Sequence, residues 1–173
     1  MKKTPKGTPV GVDDPYSTID KCDFITSDGR CRLVNTQKDV DPSFLEQKRT
    51  NEFKCHVIDK EDGSAWEQCE YFQSRQRSKE CKRCGLPERR LAHSSDRPLL
   101  EEHHLSYADD KEMSHEITIF LCRWCHAAIH SSWARIDDEA SPTTEALAEA
   151  EGRRSKELNE LGFETAAKRF LDE

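Results

Sequence analysis

The chain has 173 residues, of which 34% are hydrophobic and 35% are charged, and its formal net charge is −7. A composition this polar argues against one large apolar core, and an acidic surface repels nucleic acid unless basic residues are concentrated locally. No apolar run after MKKTPKGTPV is long enough for a signal peptide or a membrane span, so we expect a cytoplasmic protein without a membrane partner.

Eight cysteines stand out in this polar chain. In a reducing cytoplasm, paired cysteines favour metal ligation, and disulfide bonds are the rival interpretation. Small polar domains often take much of their folding free energy from a structural ion. We therefore expect structural Zn²⁺, one or two ions per chain.

Residues 1–20 are rich in Pro, Gly, Thr and Asp and show no apolar periodicity. This pattern predicts a flexible N-terminal arm, held at most by Val10, Val12 and Tyr16.

Residues 21–74 carry the first four cysteines at irregular spacing. The turn signals Asp28-Gly29 and EDGS indicate two hairpins, each of which would present sulfurs from its base. We expect a second zinc-binding module here, with His56 as an alternative ligand to either late cysteine and free structural thiols as the alternative state. The candidate ligands are Cys22, Cys31, Cys55 and Cys69.

Residues 75–136 carry the other four cysteines in two CxxC motifs, CKRCG and LCRWC, with 37 residues between the motifs. Two cysteines at this spacing present both sulfurs to one ion, and Gly85 can adopt the left-handed conformation that closes the turn. The pattern predicts a tetrahedral structural zinc site formed by Cys81, Cys84, Cys122 and Cys125.

Between and after these motifs the sequence alternates as strands do and then turns helical. Glu88 to His93 and Leu99 to Tyr107 suit a strand pairing, and EITIFLC suits a half-buried strand. A helix beginning near Cys125 would place His126 and His130 on one face. The preceding EEHHL segment would supply two further histidines against that helix.

The order CxxCG, EHHL and LCxxCHxxIH resembles the HNH, or His-Me finger, endonucleases, in which a β-hairpin packs on a helix around one divalent ion. The resemblance covers about residues 80–133, and the whole chain also looks like small haloarchaeal HNH-like proteins. It implies hydrolysis of DNA phosphodiester bonds with His104 as the general base. His103, His126 and His130 would bind the catalytic ion, which would be Mg²⁺, Mn²⁺, Ni²⁺ or Zn²⁺. Adjacent strand residues point to opposite faces, so the division of roles between His103 and His104 stays open.

One position departs from the family pattern. In these nucleases an asparagine nine residues before the helical ligand braces the loop that holds the base, and that position here is Ile117. Asp109, Asp110, His115 or Glu116 could substitute. The alternative function is a catalytically inactive zinc-binding module that holds nucleic acid or a protein partner.

A basic stretch surrounds the first CxxC motif, with seven basic residues and two acidic ones between positions 75 and 90. The alternatives are a solvated surface and a contact with DNA phosphates. A homodimer would fit cleavage of both strands. The residues are Arg75, Arg77, Lys79, Lys82, Arg83, Arg89 and Arg90.

Residues 137–173 form an acidic tail with eleven acidic and five basic residues. Ser141 as a cap and Pro142 in the first turn predict a helix to about Leu161, which Gly162 ends before a second short helix over Phe163 to Leu171. The expected fold is therefore a small α+β, zinc-stapled protein. It would contain a ββα-metal finger, an irregular N-terminal zinc module and a C-terminal helical tail.

Overall fold

A computed structural model of the chain describes residues 1–36, 40–58, 65–89, 97–106 and 115–162. In these ranges the protein is a small α+β fold around a three-stranded sheet. The elements in chain order are α1 (Leu33–Thr36), α2 (Pro42–Thr50), β1 (Gln73–Arg75), β2 (Leu100–Ser106), β3 (Glu116–Cys122), α3 (Arg123–Ser131) and α4 (Thr144–Glu160). Short 3-10 helices cover Pro15–Thr18 and Trp66–Gln68.

The sheet has the order β1-β3-β2, with β2 antiparallel and β1 parallel to the central strand β3. His103 lies opposite Ile119, and His104 lies opposite Thr118. The ladder shifts register between His104 and Ser106, so regular strand alternation ends just after the histidine pair.

The strand at EITIFLC and the helix that follows it are confirmed. The half-buried alternation predicted for this strand is not, because β3 is the central strand and five of its seven residues are buried. α3 begins two residues before the expected position because the Cys122 sulfur caps it, accepting a hydrogen bond from the Cys125 amide at 3.4 Å. Of the predicted strand from Glu88 to His93, only Glu88 and Arg89 are described, and they are not part of a strand. The other positions lie outside the described residues. The Glu88 carboxylate instead accepts hydrogen bonds from the amides of Leu99 and Leu100, both at 3.2 Å.

The apolar side chains form one contiguous core, against the expectation from composition. The buried cluster runs from Val10 through Phe72 and Ile129 to Ala150, with members from the N terminus, α1, β2, β3, α3 and α4. Composition counts apolar residues without locating them, and here short buried segments from distant parts of the chain meet at the sheet.

The N-terminal segment is packed rather than loose. Val10 is fully buried and Val12 is 4% exposed, as expected for the residues that hold it in place. Gly11, with a φ of +86°, passes close to α3: a β-carbon there would lie 3.1 Å from side-chain atoms of Ile129 and Ile136. Residues 9–11 therefore lie directly against the helix that carries His126 and His130.

The first module contains the expected turn and two helices that sequence reasoning missed. Gly29, with a φ of +76°, closes the turn between the bridged residues Ile25 and Cys31. The second turn signal, EDGS at 61–64, lies outside the described residues. The missed helices are α1 and the longer α2, which Asp41 caps by accepting hydrogen bonds from the Ser43 and Phe44 amides.

In the tail, the cap is Thr143 rather than Ser141. The Thr143 hydroxyl accepts a hydrogen bond from the Ala146 amide at 3.2 Å, and α4 ends before Gly162, whose φ is +66°. The predicted second helix from Phe163 lies outside the described residues. Among the helices of the described ranges, none combines the length and apolar character needed to cross a membrane.

Candidate metal centres

The second cysteine quartet is gathered into one cluster. The four sulfurs of Cys81, Cys84, Cys122 and Cys125 all lie within 4.8 Å of one another. A tetrahedral zinc with Zn–S bonds of about 2.3 Å separates its sulfurs by about 3.7 Å. The sulfurs of Cys84 and Cys122 are 3.7 Å apart, so the four thiols could hold a metal ion such as zinc.

The first CxxC turn has the expected backbone. Gly85 has a φ of +71°, and its amide donates to the Cys81 carbonyl at 2.8 Å. Arg83, predicted as a DNA contact, points instead at the cluster. Its guanidinium donates to the Cys125 sulfur at 3.9 Å and to the Arg135 carbonyl at 2.9 Å. A cation here offsets negative charge on the sulfurs.

Without an ion, the pKa values of these thiols are shifted in different directions. Hydrogen bonds from the thiols of Cys122 and Cys125 lower the pKa of Cys81, whereas burial raises the pKa of Cys84 to about 12. A cluster holding mostly thiols must release protons when a metal binds.

A second group of ligands lies between β2 and α3. His103, His126 and His130 each offer a ring nitrogen within 4.8 Å of the others. The Nε2 atoms of His126 and His130 are 3.1 Å apart, close to the separation of about 3.0–3.4 Å between two imidazole nitrogens on one ion with bonds of about 2.1 Å. The strand and the helix therefore supply one and two ligands, respectively.

Two of the three rings are oriented by hydrogen bonds from their outer nitrogens. His103 Nε2 donates to the Val10 carbonyl at 2.9 Å, which leaves its buried Nδ1 without a hydrogen-bond partner. His126 Nδ1 donates to a Glu101 carboxylate oxygen at 2.7 Å, which turns Nε2 toward the other rings. Such outer hydrogen bonds fix the tautomer of metal-binding histidines in other proteins.

Burial favours the neutral form of two of these imidazoles, those of His103 and His130. It lowers the pKa of His103 to about 4, and the neighbouring His104, His126 and His130 charges add to this effect. Burial also lowers the pKa of His130, with His126 contributing. Neutral rings have the lone pairs that a metal ion requires.

His104 lies outside this group. It follows His103 along β2 and is therefore directed toward the opposite face of the sheet, the face of its cross-strand neighbour Thr118. Glu102 shares that face and accepts a hydrogen bond from the Thr118 hydroxyl at 2.8 Å. Of the two adjacent histidines, His103 is thus the one placed among the candidate ligands.

Ile117 is 1% exposed and packs in the core. Of its suggested substitutes, His115 hydrogen-bonds the Tyr16 hydroxyl at 2.5 Å and the Cys69 carbonyl at 2.7 Å. The Glu116 carboxylate accepts a hydrogen bond from Gln73. Both residues are thus engaged with the N-terminal half of the chain, and the other two substitutes, Asp109 and Asp110, lie outside the described residues.

The remaining basic candidates differ in exposure. Arg75 and Arg77 are exposed and lie 3.4 and 4.0 Å from the Asp23 carboxylate. Lys79 and Lys82 are exposed, and Arg89 is half-buried. Arg90 lies outside the described residues.

The four cysteines of the first quartet lie near one another, but their sulfurs are more widely spaced than those of the second quartet. The cysteines of the first quartet line a single small cavity, yet they do not form a group with all sulfurs within 4.8 Å. Burial raises the pKa of Cys22, of Cys31 and of Cys69, the last to about 11.

Sequence reasoning missed the groups that surround the ligands. Glu101 stands two residues before His103, so strand periodicity places both on one face and could have identified it. The Val10 carbonyl carries no sequence signal, because any residue has one.

The comparisons with known proteins place the chain in a family. The model of a family of unknown function, DUF7097, matches residues 1–169. The chain belongs to the DUF7097 family. No curated protein and no solved structure matches it. The function of this DUF7097 protein must therefore be inferred from its own side chains.

The position of Glu101 in the DUF7097 chain leads to a test by substitution. Replacing Glu101 with Gln removes the charge that orients His126, and we expect the affinity for Ni²⁺ to fall by about 10–100-fold. Isothermal titration of protein whose cysteine sites are already loaded with zinc measures this. Glu102→Gln, on the opposite face, is the matched control and should leave the affinity unchanged. Equal affinities in both variants would contradict the assigned role of Glu101.

Proposed function

We propose that the protein is a metal-dependent, HNH-type endonuclease that hydrolyses DNA phosphodiester bonds. The observation that supports this best is the group of three histidines, one from β2 and two from α3, beside a four-cysteine cluster. The ligands come from a strand and from the helix that follows the hairpin, which is the arrangement expected for a ββα-metal finger.

In this proposal His103, His126 and His130 hold one divalent ion, which would stabilise negative charge on the phosphate and on the leaving oxygen. Burial lowers the pKa of His103 and of His130 and so favours their neutral, metal-binding form. Glu101 and the Val10 carbonyl position two of the rings. The donor set fits Mn²⁺, Ni²⁺ or Zn²⁺ better than Mg²⁺, because Mg²⁺ prefers oxygen ligands.

His104 is the proposed general base, which would take a proton from the attacking water. It is half-buried and stands where the β2–β3 ladder becomes irregular. Bulges next to active sites commonly redirect a side chain. Because His104 faces the opposite side of the sheet from His103, the end of β2 would have to turn over for His104 to reach a phosphate held by the three-histidine ion.

A basic groove supports DNA as the substrate. It has a volume of about 340 Å³ and includes Thr118, the cross-strand neighbour of His104. Its basic residues combine part of the predicted stretch with two that were not predicted, namely Arg75, Arg77 and Lys82 with Lys21 and Arg32. Asp20 and Asp23 also line the groove, so its five basic residues outnumber two acidic ones, and it is locally positive on a chain of net charge −7, as phosphate binding requires.

The test of this proposal is nicking of supercoiled plasmid by the purified protein, with zinc in the cysteine cluster verified first. We expect nicking in Mn²⁺ or Ni²⁺ and none in EDTA, and we expect activity to fall as salt rises because groove contacts to phosphates weaken. Protein that carries its cysteine-bound zinc and cuts under none of these conditions would refute the nuclease proposal.

A second candidate is a catalytically inactive module that binds nucleic acid through the same groove. The buried, apolar side chain of Ile117 favours it, since that position cannot brace a base by hydrogen bonding. This candidate predicts salt-sensitive binding of a labelled duplex without cleavage in any metal.

A further inference from the structure

We propose that Cys22, Cys31, Cys55 and Cys69 bind a second zinc ion, and that the buried ammonium of Lys48 offsets part of the negative charge of the resulting thiolate site. The proposal is independent of nuclease activity, because it concerns a different part of the chain from the histidine group.

Backbone hydrogen bonds bring the four cysteines together from three separate segments. The Cys31 amide donates to the Phe53 carbonyl at 2.7 Å, and the Cys55 amide donates to the Gly29 carbonyl at 3.0 Å. These contacts join the first turn to the segment that follows α2. The Asp23 amide donates to the Gln73 carbonyl at 2.7 Å, which draws the Cys22 segment toward the Cys69 segment.

The cavity that these cysteines line is large enough for one small ion or molecule. Its volume is about 10 Å³, close to the volume of about 10–15 Å³ that admits one water molecule. All four cysteines line it, and apolar side chains such as Leu33, Trp66 and Phe72 form most of the remaining wall. An apolar cavity offers a water few hydrogen-bond partners, whereas a thiolate-bound ion would be satisfied by the sulfurs alone.

The sulfurs are more widely spaced here than in the Cys81 cluster, where every pair lies within 4.8 Å. Ion binding at this site therefore involves an inward movement of the segments that carry the sulfurs.

Lys48 is the independent observation that indicates negative charge at this site. It is 3% exposed, it lines the same cavity, and its ammonium donates to the Lys54 carbonyl at 3.2 Å and to His56 Nδ1 at 2.7 Å. In the described ranges, no carboxylate lies within 4.0 Å of its nitrogen. A buried cation without a counter-charge is costly, and a zinc ion with four thiolates carries a net charge of −2.

Arg83 occupies the corresponding position at the Cys81 cluster, where it donates to the Cys125 sulfur. Each cysteine quartet thus has one basic side chain beside it. His56, the alternative ligand suggested by sequence, does not line the cavity, and its Nδ1 faces Lys48 instead. The four-cysteine ligand set is therefore the one that the geometry favours.

The first experiment counts zinc per chain in the intact protein by native mass spectrometry, with elemental analysis of the same sample. Because the histidine group could also bind zinc, the count is made in a His126→Ala background, where we expect two zinc ions, and one ion after the further change Cys55→Ser. A His126→Ala protein that binds only one ion when zinc is supplied in excess, with four thiols open to a thiol reagent after mild unfolding, would overturn the proposal.

The second experiment isolates Lys48 and does not depend on the cysteine variant folding. Lys48→Met keeps the length of the side chain and removes the charge, so we expect zinc to leave the second site at least about 10-fold more readily to a competing chelator. Lys54→Met is the matched control, because Lys54 is exposed, and it should behave as the wild type. If both variants retain two zinc ions with wild-type release rates, the proposed charge-balancing role of Lys48 is wrong.

Discussion

Replacing Cys84 with serine is expected to leave the protein largely unfolded at 25 °C. A structural zinc contributes roughly 10–16 kcal/mol of apparent binding free energy in small domains, while a whole domain is stable by only about 5–15 kcal/mol. Cys84 belongs to the Cys81 turn, and its sulfur is 3.7 Å from that of Cys122, which caps α3. Loss of this ligand would break the link between that turn and the start of the helix that carries His126 and His130.

Circular dichroism during urea unfolding, together with zinc content, measures the effect of this substitution. Lys82→Ala is the matched control, since Lys82 lies in the same CxxC turn but is exposed, and its transition should coincide with that of the wild type. A Cys84→Ser protein with an unchanged urea midpoint would show that the cluster does not stabilise the fold through a metal.

Replacing His126 with alanine is expected to reduce plasmid nicking by at least about 100-fold, under the proposed nuclease function. The substitution removes a nitrogen that lies 3.1 Å from His130 Nε2 and leaves Glu101 without the ring that it orients. The ion would keep two of its three protein ligands and be held weakly. The same variant should therefore lose most of its measurable Ni²⁺ affinity.

Two companion variants separate the roles of these residues. Ala127→Ser changes an exposed neighbour on α3 and should retain both nicking and Ni²⁺ affinity. His104→Ala should lose about 100–10,000-fold in nicking, as expected for a general base, with its Ni²⁺ affinity unchanged because His104 is not in the ligand group. Nicking that survives the loss of His126 would place the catalytic ion elsewhere.

Much of the fold and of the metal-binding clusters could be predicted from short-range pattern. The two CxxC motifs identified the Cys81 cluster, and the spacing of His126 and His130 identified one face of α3, because local backbone geometry determines which side chains share an ion. The strand at EITIFLC followed from its alternation, and the Asp28-Gly29 turn from the backbone freedom of glycine.

Only the tertiary structure decided which residues surround those ligands. It selected His103 rather than His104 for the histidine group, placed Glu101 and the Val10 carbonyl behind the rings, and buried Lys48 beside the first cysteine quartet. These contacts join residues up to 93 positions apart in the chain. Local periodicity determines the face on which a side chain lies, but its partners depend on how distant segments pack, and backbone carbonyls and buried cations leave no spacing pattern in the sequence.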